Sequence, residues 1–205
     1  MLNEIEVIRR ACDRIGIRAP ENLSEEVTAG VTADRLYEQE ASFALTLYPW
    51  SFAQKLVRLT KLDDEPIAGF SVIFQMPVGD NVLLLDRVTD QPDIPDRNFT
   101  DFKRFGDKIY SNADDLYAVV RSMASPHLWS PIFAKAVSTG LAGLLIEAIA
   151  SDGKRADELK RQAYGNPSEQ NRGGLIGTAM QTDSSTTPNK RMRMGRNPLT
   201  EAWSS

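Results

Sequence analysis

Apolar residues recur at helical spacing near both ends of the chain, which predicts helices in those two regions. A first helix is predicted by the three-and-four spacing of Ile5, Ile8, Cys12 and Ile15, and it is expected to end at Gly16. A second helix is predicted from about residue 28 up to Pro49, because a proline restricts the residue before it and ends the helix.

Between residues 51 and 124 the apolar period changes from helical to alternating. Alternation over residues 70–76 predicts a strand, and further strands are predicted over residues 82–88 and 116–123. The sequence Phe105-Gly106-Asp107-Lys108 is typical of a turn between two short strands. This part of the chain is therefore expected to form a small antiparallel β unit.

A long apolar helix is predicted after the β unit. Ser130 and Pro131 have the residue types preferred at the N-cap and first helical positions. The apolar residues over 132–148 cover more than one face, so this helix is expected to be buried on nearly all sides. Its small residues allow another backbone to come close, within one subunit or between subunits; they are Ser138, Gly140, Ala142 and Gly143. A more polar helix is predicted over residues 154–164.

The order of these elements predicts an α+β fold: a helical bundle with an inserted small antiparallel β unit and an extended C-terminal arm. Residues 1–50 and 125–165 are assigned to the helical core, residues 51–124 to the β insertion, and residues 166–205 to the arm. The apolar stretch 132–150 contains Lys135 and Glu147, which predicts no membrane span. The polar start of the chain predicts no signal peptide.

Composition limits the chemistry of the 205-residue chain. Cys12 is the only cysteine and His127 the only histidine, which excludes an internal disulfide and any Cys/His structural zinc site. His127 is interpreted as a loop residue packed beside Trp129. The acidic pairs lie in predicted turns, where aspartate is common for structural reasons; they are Asp63/Asp64, Asp93/Asp96 and Asp114/Asp115. No catalytic, metal-binding or cofactor-binding residue is predicted.

Charge is divided unevenly along the chain. Residues 166–205 hold five cations and three acids, a net of +2, which leaves −6 for residues 1–165 against −4 for the whole chain. Residues 183–189 have the composition of a low-complexity linker. The arm is predicted to dock on a partner or a neighbouring subunit, since arginine and tryptophan often carry interface energy. The predicted docking residues are Arg191, Met192, Arg193, Met194, Arg196, Leu199 and Trp203.

Four short sequences, in this order, together resemble the phage tail tubular protein A-type head-to-tail adaptors. They are Tyr48-Pro49-Trp50-Ser51-Phe52-Ala53, the aromatic strand 70–77 ending in Pro77, Lys108-Ile109-Tyr110-Ser111, and Trp129-Ser130-Pro131-Ile132-Phe133 with the apolar helix after it. Pro49, Trp50, Phe52, Pro131 and Phe133 are the structural junction residues of this pattern. Val78-Gly79 after the strand and the glycines near residues 165 and 173 depart from it.

The resemblance implies a structural protein of a short-tailed phage. Such adaptors form a ring, typically of twelve subunits, between the portal and the tail nozzle or hub, and often carry tail fibres. The chain would then be made in the host cytoplasm, reside in the virion and let double-stranded DNA pass without sequence-specific binding. Its acidic balance would repel passing DNA.

Two other classes of function remain open from the residues. A tail-associated glycan hydrolase would use the turn carboxylates as acid and base. A DNA-binding accessory protein would use the cations of the arm, with strongly salt-dependent affinity.

Overall fold

The computed structural model describes residues 1–21, 28–67, 69–79 and 81–186. Its fold is α+β, as predicted, with helices at both ends of the described chain and two antiparallel sheets between them. The helices are α1 (Glu4–Ile15), α2 (Thr28–Thr46), α3 (Pro131–Ala150), α4 (Gly153–Tyr164) and α5 (Gly174–Thr186). The strands are β1 (Gln54–Arg58), β2 (Thr60–Leu62), β3 (Val72–Gln75), β4 (Val82–Thr89), β5 (Phe102–Phe105), β6 (Lys108–Ser111) and β7 (Tyr117–Ser122).

The helix boundaries follow the capping signals of the sequence. Gly16 ends α1 in the left-handed conformation with φ of 73°, and the side chain of Asn3 caps its start by accepting a bond from Glu6 N. The Ser130 side chain accepts a bond from Phe133 N at the start of α3. Asp152 caps α4 in the same way through Arg155 N. The predicted end of α1 at Gly16 and the predicted start of α3 at Ser130 and Pro131 are therefore confirmed.

Helix α3 lies at the centre of the helical body, which we define as α1 to α5. It is long and apolar enough to span a membrane by length and composition, and 67% of its most apolar window is buried within the fold. A Cβ at Gly143 would lie 3.1 Å from the Ala156 carbonyl oxygen, so the small residue there lets α4 pack closely. This close approach between α3 and α4 lies within one subunit.

The β unit, defined as β1 to β7, consists of two sheets with strand orders β1-β7-β4 and β2-β3-β6-β5. Every pairing is antiparallel, and the turn predicted at Gly106 joins β5 to β6. A second core lies between the sheets, with Phe74 and Ile109 from one and Val88 and Val120 from the other. The single β unit of the sequence thus folds as two layers rather than one.

The prediction of an extended arm from residue 166 is wrong for residues 174–186, which form helix α5. Ile176 and Ala179 are buried against the other helices of the helical body, and this packing stabilises a segment with weak helix formers. Asp183 to Thr186, predicted as linker, form its last turn. Residues 187–205 lie outside the described residues.

Candidate functional site

The predicted docking residues cannot be placed in the fold. Arg191, Met192, Arg193, Met194, Arg196, Leu199 and Trp203 all lie outside the described residues. The structure does describe the position from which their segment starts, at the end of α5, and the junction that α5 contacts.

Three of the five junction residues, Trp50, Phe52 and Phe133, meet in one aromatic cluster between the helical body and the β unit, and Pro131 begins α3. The ring of Phe133 lies 4.7 Å from that of Trp50, 5.3 Å from that of Phe52 and 5.0 Å from that of Trp129, all in edge-on geometry. Trp50 and Phe133 are completely buried. These arrangements confirm that the aromatic residues fill the core.

Both buried indole N–H groups of this cluster are satisfied by backbone. Trp50 Nε1 donates to the Ala44 carbonyl at 3.0 Å, and Trp129 Nε1 donates to the Ala124 carbonyl at 2.9 Å. Ala44 belongs to α2 and Ala124 follows β7. Each tryptophan therefore fixes the position of a chain segment where it passes between the helical body and the β unit.

A second connection at this boundary is ionic. Arg121 on β7 pairs with Asp86 on β4, with Nε 2.8 Å from Oδ1, and both side chains are about nine-tenths buried. Arg121 also donates to the carbonyl of Thr46 at the end of α2, and Gln54 Nε2 donates to Asp86 at 3.3 Å. This network fixes the β1-β7-β4 sheet to the helical body.

A third connection involves α5. Asp183 accepts a bond from the Ser51 backbone N at 3.0 Å and one from Ser51 Oγ at 2.6 Å. Ser51 lies between Trp50 and Phe52 in the aromatic cluster. The last turn of α5 therefore lies beside the junction.

The most enclosed polar pair lies elsewhere, between α2 and α4. Glu40 has 6% of its surface exposed, and its Oε1 accepts a hydrogen bond from the Tyr164 hydroxyl. A Cβ at Gly140 of α3 would overlap Glu40 Oε1 and lie 2.7 Å from Tyr164 Cε2. Only glycine at position 140 leaves room for this pair.

Burial raises the pKa of the Glu40 carboxyl to about 7, although its hydrogen bond from Tyr164 and the charge of Lys160 act in the opposite direction. Burial, together with the nearby Glu40 charge, raises the pKa of Tyr164 well above its usual value. Glu40 therefore takes up or releases a proton close to neutral pH.

The Glu40 pair forms the floor of a cleft of about 700 Å³. Phe43 contributes an aromatic wall that packs edge-on against Tyr164, with ring centres 5.4 Å apart. Asp157, Lys160 and Arg161 supply charges at its sides, and Lys160 also pairs with Glu147 at 2.5 Å. The cleft thus combines one carboxyl of raised pKa with an apolar wall. No motif in the sequence indicated this cleft.

One carboxylate in each of the acidic pairs considered for catalysis forms an ion pair with a cation. Asp96 pairs with Arg87 at 2.9 Å, Asp115 with Arg58 at 2.8 Å, and Asp64 with Lys108. The hydrogen bond from Arg58 lowers the pKa of Asp115, which is opposite to what a general acid needs. His127 lies exposed in the short helical turn before α3. Among the described residues, no group of three His, Cys, Asp or Glu side chains could hold a metal ion.

No model of a known protein family matches the chain, and no curated protein matches it at a significant level of sequence similarity.

Proposed function

We propose that this chain is a structural virion protein, a head-to-tail adaptor that forms a ring between the portal and the tail nozzle of a short-tailed phage. The observation that carries the proposal is the way the four adaptor-like sequences contact one another. They are separate in the chain, and in the fold they combine into two pairs, the first with the fourth and the second with the third. The proposal extends to residues 187–205 as the segment that docks on a partner.

The first and fourth adaptor-like sequences meet in the aromatic cluster, where Trp50 and Phe52 pack on Phe133. The second and third form neighbouring strands of one sheet, with Ile73 opposite Tyr110 and Phe74 opposite Ile109. Residues that resemble one family are thus the residues that connect the helical body to the β unit and build the second core. This pairing supports a shared fold for the whole pattern.

The position of α5 supports the proposed docking of the arm. Asp183 binds Ser51 at the junction, so the last described turn of α5 lies at the boundary between the helical body and the β unit. A partner bound by Arg191, Arg193 or Trp203 would then be held close to that boundary. A truncation that tests docking should end after Thr186 and not at residue 182, because removal of Asp183 would also break its hydrogen bonds to Ser51.

The assembly test uses purified full-length chain, light scattering after size exclusion, and portal particles of the parent phage. We expect the chain to form a ring mainly when portal is present. A chain that ends after Thr186 should remain folded by circular dichroism and fail to attach. The matched control replaces exposed Lys61, Arg97 and Lys103 with glutamine and should attach normally. A full-length chain that stays monomeric with portal would contradict the proposed function.

A glycan hydrolase is the second candidate, and the Glu40 cleft is the observation that favours it. Glu40 has the raised pKa that a general acid requires, and Asp157 lines the same cleft. The deep burial of Glu40 and its hydrogen bond from Tyr164 limit its access to a polysaccharide. For this reason the hydrolase is the second candidate and not the first. Clearing of purified host cell wall by the chain, lost in Glu40→Gln and kept in Asp64→Asn, would establish it in place of the adaptor.

A further inference from the structure

A groove of about 490 Å³ lies between α1 and the first half of α3, and it shares no lining residue with the aromatic cluster or the Glu40 cleft. Its walls are formed by two arginines and an aspartate of α1 and by three residues of α3: Arg10, Asp13, Arg14, Pro131, Lys135 and Ser138. Arg155 of α4 adjoins it, since its Nη2 lies 3.4 Å from the Arg14 carbonyl oxygen. Three helices thus bring four cations to one place.

Most of these cations lack a carboxylate partner. Within the described part of the chain, no carboxylate oxygen lies within 4.0 Å of the charged nitrogens of Arg14, Lys135 or Arg155. Arg14 donates instead to the neutral Gln162 side chain at 3.1 Å. Arg10 pairs with Glu6 at 3.4 Å, and both side chains are 40% or more exposed, so water screens that pair. In contrast, Arg58, Arg87 and Lys108 of the β unit all bind aspartates.

We propose that this groove binds the phosphate backbone of double-stranded DNA without reading its sequence. The groove has four cations against Asp13 and Glu6, so it is locally positive, although residues 1–165 as a whole carry a net charge of −6. Arg10 and Arg14 are four residues apart on α1 and therefore lie on one face of it, on the order of 6 Å apart. Arginine and lysine in such an arrangement are the usual partners of phosphate oxygens.

The lining of the groove favours DNA over an acidic protein. Protein interfaces are built around exposed aromatic or large aliphatic side chains, whereas DNA interfaces are polar and cationic. The described residues that expose such side chains include Phe43, Leu56 and Val78, and none of those that do so lines this groove. A phosphate backbone needs no apolar anchor.

The inference rests on the proposed function, because an adaptor surrounds passing DNA. Three or four phosphate contacts per subunit predict weak binding that falls steeply with salt, with a slope of log affinity against log salt of about −0.9 per contact. The acidic remainder of the body opposes further contact. The groove would therefore hold passing DNA at a few phosphates and release it readily.

The test measures fluorescence anisotropy of a labelled random-sequence duplex with the full-length chain, between about 50 and 200 mM salt. The variant Arg10→Gln/Arg14→Gln/Lys135→Gln should reduce the magnitude of the salt slope by about 2.7. The control Lys61→Gln/Arg97→Gln/Lys103→Gln removes the same charge from the β unit and should leave the slope unchanged. An equal fall in both variants would overturn the groove as the DNA site.

A gain of affinity separates binding from misfolding. Asp13→Asn removes the acid that lines the groove, so it should tighten DNA binding, which an unfolded protein would not do. Replacing Lys190, Arg191, Arg193 and Arg196 by glutamine tests the arm as the alternative DNA site. Binding that depends on these four cations and ignores the groove variant would refute the inference. Ring assembly with portal is measured in a separate experiment without DNA. If the groove variant does not alter DNA binding, the adaptor proposal stands, and if no ring forms with portal, the adaptor proposal fails whatever the DNA result.

Discussion

The helical body packs on all sides of one central helix, whereas the β unit packs around the narrow space between two short sheets. The core of the helical body includes Trp50, Phe133 and Leu141, all completely buried. The core of the β unit is smaller, and its strands also expose apolar residues such as Leu56, with 43% of its surface accessible. The comparison indicates that the helical body folds as the stable part and that the β unit depends on its attachment to it.

The polar contacts of the two regions differ in the same direction. In the β unit, the pairs of Asp64, Asp96 and Asp115 lie at the surface, where water screens them. In the helical body, Glu40 and Tyr164 are enclosed, so their contact depends on exact fit. Changes in the helical body should therefore affect the whole molecule, whereas changes in the β unit should remain local except at the buried Arg121–Asp86 pair, which contacts the end of α2.

The largest effect is expected for Phe133→Ala. Phe133 is completely buried and contacts three other aromatic rings, so its loss should lower the free energy of unfolding by about 3–5 kcal/mol. Urea unfolding followed by circular dichroism measures the change. Leu128→Ala, close in sequence but 51% exposed, is the matched control and should change little. Equal losses in both variants would contradict the central role of this cluster.

Phe74→Ala removes a comparable ring from the core of the β unit. The expected local cost is about 3 kcal/mol, and it should appear as faster amide hydrogen exchange in β3, β6 and β7. Amides of α3 should keep their protection. Loss of protection in both regions together would show that the helical body and the β unit unfold as one unit, with no difference in local stability between them.

Because the pKa of Glu40 is raised in the folded chain, we expect the free energy of unfolding to depend on pH. Its pKa is about 7 in the folded chain and near 4.5 when exposed, so the folded state holds the extra proton between these values. Stability is therefore highest below pH 4.5 with respect to this group and falls by roughly 3 kcal/mol as pH rises through 7. Glu40→Gln should match the wild type near pH 4.5 and exceed it at pH 8. Thermal unfolding of both proteins between pH 4.5 and 8 measures this difference. If the stabilities of the two proteins change in parallel with pH, Glu40 does not contribute the expected pH dependence.

Gly140→Ala should destabilise the chain by about 1–3 kcal/mol, because the added methyl group would overlap Glu40. The double variant with Glu40→Ala should recover part of that loss, since the overlapping carboxylate is gone. A double-mutant cycle in urea measures the coupling. Additive losses would mean that the methyl group is accommodated without moving Glu40.

The smallest effect is expected for Asp183→Ala. It removes two hydrogen bonds to Ser51 at the surface and should cost about 1 kcal/mol, with faster exchange in the last turn of α5. Asp157→Ala, an exposed aspartate of α4, is the control. No change in the exchange of α5 would show that packing of Ile176 alone holds this helix.

The parts of the fold that could be predicted are those that depend on residues close together in the sequence. The helix boundaries at Gly16 and Ser130 depend on neighbouring residues, and the alternation over residues 70–76 that predicted β3 is visible within a short segment. Helix α5 was missed because its many Gly, Ser and Thr residues are weak helix formers. Its stability comes from Ile176 and Ala179 packing on distant helices.

The Glu40 cleft could not be predicted from local pattern. Glu40 and Tyr164 are 124 residues apart in the chain, and glycine at position 140 shows its role only once three helices are packed. One signal was present: Glu40 lies three residues after Tyr37 and four before Ala44, on the apolar stripe of α2. A charged residue on such a stripe predicts a buried partner without identifying it.

The bonds between Asp183 and Ser51 have a mechanical consequence. Asp183 is three residues from the end of α5, so tension applied to residues 187–205 reaches this clamp after less than one helical turn. The load then passes to Ser51 and its neighbours Trp50 and Phe52, which are embedded in the aromatic cluster. A pull on residues 187–205 would thus be borne by the buried aromatic cluster rather than by the short strands of the β unit.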